Sequence, residues 1–191
     1  MTELIFIRHA ETDLAGTFCG HSDPPINARG QTQVKELISR LSSEPLDAIH
    51  SSDLRRAVET AESLAQAFAV PCTTTQNLRE IYFGDWEGLT WAEIERQDQG
   101  YACRWAELFP NLPAPNGETF AAFERRILQE IDHLLRFAAD KRLAVVTHGG
   151  VMRIVLRTFL GHTEKQAWDL TTPYCSFFVY AVAAASQEVS Q

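Results

Sequence analysis

Short apolar runs alternate along the chain with longer segments in which apolar residues recur every three or four positions. Residues 4–7 and 143–146 are continuous apolar runs of strand length, which is the pattern of strands buried on both faces. Residues 46–49 and 70–75 predict two more strands, and residues 175–182 are rich in strand-forming side chains. The pattern therefore predicts short strands spread over the whole chain.

Segments with helical spacing separate these strands. Ser52 and Asp53 precede the second segment, and either of them can cap a helix there. Gly161 is a stop signal after the last segment. The segments are residues 34–41, 54–68, 118–137 and 151–160. Strands that alternate with helices predict an α/β fold, in which helices cover both faces of a mainly parallel sheet.

Residues 76–117 follow neither pattern. Three of the 4 tryptophans lie in this stretch, and residues 110–117 are rich in proline. We interpret residues 85–117 as a small helical cap inserted between core elements. A chain of 191 residues has the length of one domain, so residues 1–191 are predicted to form a single domain that carries this insert.

The composition is that of an ordinary globular protein. With 45% hydrophobic and 22% charged residues, the chain is not expected to be disordered. The net charge is -8, from 17 basic and 25 acidic residues, which argues against binding to nucleic acid or to an anionic membrane surface. Any bound anion must then be held by a few cations gathered locally.

The cysteines and the first residues bear on the compartment. Cys19, Cys72, Cys103 and Cys175 form no CxxC or other metal-binding spacing, so we expect reduced thiols. The acidic start of the chain does not look like a signal peptide, and no apolar run reaches the ~20 residues that a membrane span needs. We therefore expect a cytoplasmic protein.

Two of the 6 histidines directly follow buried apolar runs. Arg8 and His9 end the first run, and His148, Gly149 and Gly150 come between another run and a helix. In parallel α/β sheets, ligands bind beyond the carboxyl ends of the strands. A glycine pair allows close backbone approach, a helix N-terminus presents N–H groups to an anion, and arginine suits phosphate oxygens. The pattern indicates an anion site.

The remaining histidines give weaker signals. His21 and His50 fall near the presumed cleft, where an ordinary hydrogen-bonding role is the main alternative, and His133 and His162 are expected to be solvated. Neither HExxH nor His-x-His is present, so no metal site is expected. GxSxG, P-loop and GxGxxG motifs are also absent, which argues against a serine hydrolase and against nucleotide binding by those routes.

Residues 7–12, which read Ile-Arg-His-Ala-Glu-Thr, resemble the RHG motif of the histidine phosphatase superfamily, the phosphoglycerate mutase-like proteins. Four later segments match the family in the same order. They are residues 51–61 (the second arginine segment), 78–88 (the acid segment), 117–119 (a cap-to-helix segment) and 146–150 (the second histidine segment). Five ordered matches are far more specific than the first motif alone.

This resemblance implies a phosphatase that acts on a small phosphorylated metabolite without a cofactor or a metal ion. It implies that His9 attacks phosphorus to form a phosphohistidine, and that Glu80 protonates the leaving oxygen and then activates water. Glu87 is the alternative acid. The residues expected to surround the phosphoryl oxygens are Arg8, Arg56, His148 and Gly149.

Two positions depart from the family pattern. Ala10 stands where the family usually has glycine, and a methyl group is tolerated there if the backbone keeps a negative φ. Ala15 stands where the family often has an asparagine that touches the phosphate, so one hydrogen bond worth about 1–3 kcal/mol is lost. The charged part of the expected site is unaffected.

The sequence determines the substrate less well. Residues 85–124 hold few basic side chains but include Trp91, Tyr101 and Trp105, whose rings either stack on a planar leaving group or pack the cap. Residues 80–88 look similar to the α-ribazole phosphatases of cobalamin-nucleotide assembly and to broad-specificity members, and we expect the former. The alternatives are a broad-specificity phosphatase, a phosphoglycerate mutase-like enzyme, a protein phosphohistidine phosphatase and a non-catalytic phospho-ligand-binding protein. The sequence leaves a homodimer open.

Overall fold

The computed structural model describes residues 2–43, 45–138 and 140–182. The strands are β1 (Thr2–Arg8), β2 (Ala48–Ser52), β3 (Cys72–Thr75), β4 (Arg142–Thr147) and β5 (Phe177–Val182). The helices are α1 (Ala28–Leu41), α2 (Arg55–Phe68), α3 (Trp91–Gln97), α4 (Gln99–Leu108), α5 (Phe120–Phe137), α6 (Gly149–Leu160) and α7 (Glu164–Thr171). None of the helices in these three stretches is long and apolar enough to cross a membrane.

The strands form one sheet in the order β3-β2-β4-β1-β5. All neighbouring pairs are parallel except β1 and β5, which run antiparallel at one edge. The predicted mainly parallel sheet is therefore confirmed. In this register Arg8 pairs with Thr147, and Ser51 pairs with Val146, so the carboxyl ends of β1, β4 and β2 meet at the same edge.

The two faces of the sheet carry separate hydrophobic cores. Leu4 and Phe6 of β1 pack with α5 and α6, whereas Ile5 and Ile7 of the same strand pack with α1 and α2. All four side chains are fully buried, and they alternate between faces because successive strand residues point to opposite sides. The helices on both faces confirm the predicted layering.

Some predicted boundaries were wrong. β2 begins at Ala48 and continues through Ser52, because parallel pairing with β3 extends the strand beyond its apolar residues. The residue before α2 is Leu54, which makes no side-chain capping bond. Ser52 Oγ accepts from the Leu54 N–H, and the Asp53 carboxylate is paired with Arg79. Neither side chain therefore caps α2 as expected.

Helix α7 was not predicted. It starts with a capping box between Thr163 and Gln166, and only Ala167 and Thr171 of the helix are buried. So small a buried face gives little apolar periodicity along the sequence. By contrast, α6 ends at Gly161, whose φ of 67° is in the left-handed region, as the stop signal predicted.

The predicted cap range contains α3 and α4 and a hydrophobic cluster separate from the two main cores. Trp86 is buried at its centre, with Trp91, Tyr101 and Trp105 packed against it. The Trp86 and Trp105 ring centroids are 5.2 Å apart. The rings thus pack against one another, which is the second of the two roles considered for them.

Candidate active site

His9 follows β1 and is almost fully buried. Its Nδ1 lies 2.7 Å from the carbonyl oxygen of Ala10, and the Nε of Arg56 donates to its Nε2 over 3.2 Å. A carbonyl only accepts and a guanidinium only donates, so Nδ1 carries the ring proton and Nε2 holds a lone pair. Burial, with the charges of Arg56 and Arg8, holds the pKa of His9 well below its ordinary value. His9 is therefore a neutral imidazole with an unprotonated Nε2.

Arg56 lies in the first turn of α2 and is fully buried. Besides His9, its guanidinium donates to the carbonyl oxygens of Ser22, at 2.6 Å, and Gly20, at 2.7 Å. The carbonyl of Cys19 accepts a third bond of 3.2 Å. These contacts keep the cation beside His9 and fix the loop of residues 19–22 around it.

Glu87 anchors the same loop from the other side. Its carboxylate accepts from the backbone N–H groups of His21, Ser22 and Phe83, and from the hydroxyl of Ser22. Burial alone would raise the pKa of Glu87, but these hydrogen bonds outweigh it and lower the pKa. Glu87 thus supports the loop, and its contacts do not favour the alternative role of acid.

Arg8 is the last residue of β1. Its Nη1 donates to the carbonyl oxygens of Thr171, at 3.0 Å, and Thr172, at the end of α7. The guanidinium carbon lies 4.1 Å from the ring centroid of Tyr174. Its Nε is buried and has no hydrogen-bond partner within the described part of the chain. The unexpected helix α7 therefore orients one of the two predicted arginines.

His148 is fully buried and occupies the position before α6. Its Nε2 is 2.9 Å from Ser52 Oγ, and its ring centroid is 5.0 Å from that of His9. Burial is the largest cause that places the pKa of His148 well below its ordinary value, and the neighbouring Arg56 and His9 disfavour a second positive charge beside them. The Ser52 hydroxyl can donate to Nε2, which leaves the ring proton on Nδ1. This Nδ1 is buried and unpartnered among residues 2–43, 45–138 and 140–182.

Glu80 follows a short 3₁₀ turn (Gln76–Leu78) and is 9% exposed. Its Oε2 accepts from the Gly150 N–H over 2.8 Å, and its Oε1 accepts from the Ile81 N–H over 2.9 Å. The carboxylate therefore sits at the positive N-terminal end of α6. Gly149, the first residue of that helix, stands in the sequence between His148 and Gly150.

The structure thus brings all six predicted site residues together at the carboxyl edge of the sheet. Of the other histidines, His21 joins them through a 3.1 Å contact of its Nε2 with the Glu80 carbonyl oxygen. His50 instead contacts Thr73 and the ring of Phe137. His133 is exposed, as expected, and His162 is partly buried.

Sequence reasoning missed a third cation, Arg153. Its guanidinium carbon is 4.4 Å from the Trp168 ring centroid, and its Nη1 is 3.5 Å from Thr171 Oγ1. Burial lowers the pKa of Arg153, while the charge of Glu80 raises it and that of Arg8 lowers it, so Arg153 lies within electrostatic reach of both. Its position four residues after Gly149, one helical turn, was the available signal.

The two departures from the family pattern are accommodated. Ala10 is fully buried, its N–H donates to Thr60 Oγ1 over 3.1 Å, and its φ is not in the positive range. The negative φ on which its methyl group depends is therefore present. Ala15 is exposed, and its N–H donates to the Thr12 carbonyl oxygen in a turn.

Comparison with known proteins gives consistent matches over nearly the whole chain. The model of the histidine phosphatase superfamily (branch 1) matches residues 4–190. The adenosylcobalamin/alpha-ribazole phosphatase of Salmonella typhimurium is 32% identical over 167 residues, which is 86% of this chain and 83% of that protein. Phosphoserine phosphatase 1 of Hydrogenobacter thermophilus is 29% identical over 181 residues, covering 94% and 86% of the two chains. The crystal structure of the alpha-ribazole phosphatase from Shigella flexneri superposes with a TM-score of 0.86 at 26% identity, covering 95% of this chain and 91% of that one.

Proposed function

Because the chain belongs to the histidine phosphatase superfamily, as its motifs indicated, we propose that it hydrolyses phosphomonoesters through a phosphohistidine on His9. The observation that carries this proposal is the state of His9, a neutral imidazole whose unprotonated Nε2 faces a buried guanidinium. An unprotonated imidazole nitrogen is a nucleophile once substrate takes the place of its hydrogen-bond donor, and adjacent cations stabilise the phosphoryl oxygens as it attacks.

Four groups are available for those oxygens. Arg8 and Arg56 supply two permanent positive charges, and Arg8 Nε and His148 Nδ1 are buried nitrogens that a phosphoryl oxygen can satisfy. The N-terminus of α6, at Gly149, adds the partial positive charge of the helix dipole. This much positive potential supports binding of a phosphate dianion without a metal ion.

The reaction has two steps. His9 Nε2 forms a bond to phosphorus as the bond to the leaving oxygen breaks, and protonated Glu80 donates its proton to that oxygen. Glu80, now a carboxylate, then takes a proton from water as the water oxygen attacks phosphorus and the P–N bond breaks. Inorganic phosphate and the alcohol are released, and His9 and Glu80 return to their starting states.

We further propose α-ribazole 5′-phosphate, in cobalamin synthesis, as the substrate. Support comes from the Salmonella typhimurium and Shigella flexneri proteins, which are alpha-ribazole phosphatases by name and resemble this chain over most of its length. The phosphoserine phosphatase relative supports a broader range of small alkyl phosphates as the second candidate. The rings of Trp91 and Trp105 pack against each other. Two rings are more exposed: Tyr82 (39%), which lies against His21, and Trp168 (57%), over which Arg153 lies.

The test is a substrate panel with the purified protein. kcat/KM is measured for α-ribazole 5′-phosphate, phosphoserine, 3-phosphoglycerate and p-nitrophenyl phosphate, with mutase activity followed on 3-phosphoglycerate. We expect the ribazole ester to have the highest kcat/KM and mutase activity to be negligible. Equal values across the panel would replace this proposal with broad specificity. Turnover of none of the esters would indicate a protein that binds phosphorylated ligands without catalysis.

A further inference from the structure

Arg126, on α5, forms a bidentate ion pair with Glu118 just before the helix. Arg126 Nε donates to Glu118 Oε1 over 2.9 Å, and Nη2 donates to Oε2 over 2.8 Å. Both side chains are mostly buried, with 21% and 17% of their surfaces exposed. The planar fork of arginine matches a carboxylate in this way, whereas lysine presents a single point charge.

The same guanidinium also holds the backbone of the segment that carries Glu80. Nη1 donates to the carbonyl oxygens of Asn77, at 3.0 Å, and Arg79, at 2.8 Å. Nη2 donates to the carbonyl oxygen of Glu80 itself, at 2.9 Å. With the two bonds to Glu118, all five N–H donors of the guanidinium are used.

Glu118 binds the backbone on the other side of Glu80, at Tyr82. Its Oε2 accepts from the Tyr82 N–H over 3.3 Å, and its own N–H donates to the Tyr82 carbonyl oxygen over 2.8 Å. The Arg126–Glu118 pair therefore fixes the chain before, at and after Glu80. Arg126 makes no hydrogen bond to His9, Arg8 or Arg56 within the described part of the chain, so its direct contacts with the site run through the Glu80 segment. Besides burial, which is the largest cause, its positive charge also helps to lower the pKa of His148, and a lysine at position 126 keeps that charge.

We propose that Arg126, paired with Glu118, is a positioning residue that aligns the Glu80 carboxyl group for proton transfer to the leaving group. This inference rests on the proposed function, in which Glu80 is the acid. Without the guanidinium, three carbonyl groups of the segment lose their donor and the carboxyl group loses its fixed distance to the reacting oxygen. Misplacement of about 1 Å in such a group can lower the rate roughly 100-fold.

The readout is the dependence of kcat/KM on the leaving group. An alkoxide leaving group needs the proton of Glu80, whereas p-nitrophenolate leaves well without it. For Arg126→Lys, which keeps the positive charge, we expect kcat/KM on a primary alkyl phosphate to fall at least about tenfold more than on p-nitrophenyl phosphate. A merely structural role would lower both values by the same factor.

Three comparisons complete the experiment. Arg125→Lys changes the exposed neighbour on α5 and should leave both values at the wild-type level. Glu118→Gln should give the leaving-group effect of Arg126→Lys in weaker form, and provides the test if the arginine variant fails to fold. In the Glu80→Gln background, Arg126→Lys should add no further selective loss, because residues that act through one group are not additive.

The outcomes separate the two proposals. Two results would overturn the positioning role alone. In the first, kcat/KM on the alkyl phosphate falls selectively in Glu80→Gln but not in Arg126→Lys or Glu118→Gln. In the second, the selective losses of Glu80→Gln and Arg126→Lys add in the double variant. A wild type that hydrolyses neither ester, or a Glu80→Gln variant without leaving-group dependence, overturns the assignment of Glu80 and the positioning role with it. Circular dichroism and melting temperature establish that each variant is folded.

Discussion

The N–H of Gly150 donates a hydrogen bond to Oε2 of Glu80 over 2.8 Å, and a β-carbon at position 150 would overlap Oε1 of the same carboxylate. A side chain at position 150 is thus opposed by the present position of the Glu80 carboxylate and not by backbone angles, since the φ of Gly150 is not in the positive range. The first turn of α6 thus lacks a side chain where the Glu80 carboxylate lies against it.

We predict that Gly150→Ala displaces the Glu80 carboxylate and lowers kcat/KM on alkyl phosphates about tenfold or more, a loss of roughly 1.4 kcal/mol in transition-state binding. Helix propensity favours alanine by about 1 kcal/mol, so α6 should not be weakened by the exchange itself. Gly100→Ala is the matched control, because a β-carbon there makes only an ordinary 3.5 Å contact with Asp98. An active Gly150→Ala enzyme would show that the carboxylate need not occupy this position.

His9→Asn should abolish hydrolysis while the fold is retained. The substitution removes the nucleophile but leaves the two hydrophobic cores untouched, and we expect a rate loss of roughly 1,000-fold or more. Activity and melting temperature are measured on the same preparation. Residual turnover above a few per cent would rule out His9 as the nucleophile.

Glu80→Gln should trap the phosphoenzyme. Without a carboxylate to activate water, hydrolysis of the intermediate slows, while p-nitrophenyl phosphate can still phosphorylate His9 because its leaving group needs little protonation. Rapid quench in base should recover close to one phosphoryl group per chain, and that label should be lost in acid, as expected of phosphohistidine. An acid-stable adduct would point instead to a serine or threonine nucleophile.

Removal of metal ions should leave the rate nearly unchanged. Arg8 and Arg56 already place two permanent positive charges at the site, and the proposed steps use no metal-bound water. Initial rates are compared before and after dialysis against EDTA. A large loss that a divalent ion restores would contradict this prediction.

Stability should fall with acidification below about pH 6.5, the ordinary pKa of histidine. Burial and nearby arginines depress the pKa of both His9 and His148 in the folded chain, so the unfolded chain binds protons first as the pH drops. Between its pKa in the unfolded chain and its pKa in the folded chain, each such histidine lowers the free energy of unfolding by up to about 1.4 kcal/mol for each pH unit of acidification.

His148→Asn removes one of these contributions. The free energy of unfolding of both proteins is measured with denaturant between pH 5 and 8. It should fall less steeply with acidification in the variant. Above about pH 7 the two plots against pH should be parallel, because both histidines are then neutral in the folded and the unfolded chain. Identical slopes at all pH values would mean that His148 is protonated equally in the folded and unfolded chains.

The parts of the site that follow directly from buried runs were predictable. Arg8, His9 and His148 stand where apolar strands leave the core, and that boundary is visible in the sequence. Arg56 and Glu80 lie in helical and irregular segments without such a boundary, and were assigned through the family resemblance. The hydrogen-bond partners of the site residues were not predictable. Ser52, for example, contacts His148 only because of the register between β2 and β4.

Contacts across long stretches of chain explain the remaining omissions. The carbonyl oxygens that Arg126 binds lie 46–49 residues before it, and no local pattern relates such positions. Helix α7 buries too few residues to produce periodicity, yet its last carbonyl groups orient Arg8. The sequence showed which groups could do chemistry, whereas the groups that hold them in place depended on the three-dimensional packing.

The strand order also sets when the candidate site can form during synthesis of the chain. Among the described strands, β1 is translated first, whereas both of its neighbours in the sheet, β4 and β5, are translated last. Until β4 emerges, β1 and β2 have nothing to join them, and His9 is not held beside Arg56 by a common sheet. A nascent chain that ends before residue 140 therefore lacks both neighbours of β1, and the arrangement of His9, Arg56 and His148 at the candidate site forms only late in translation.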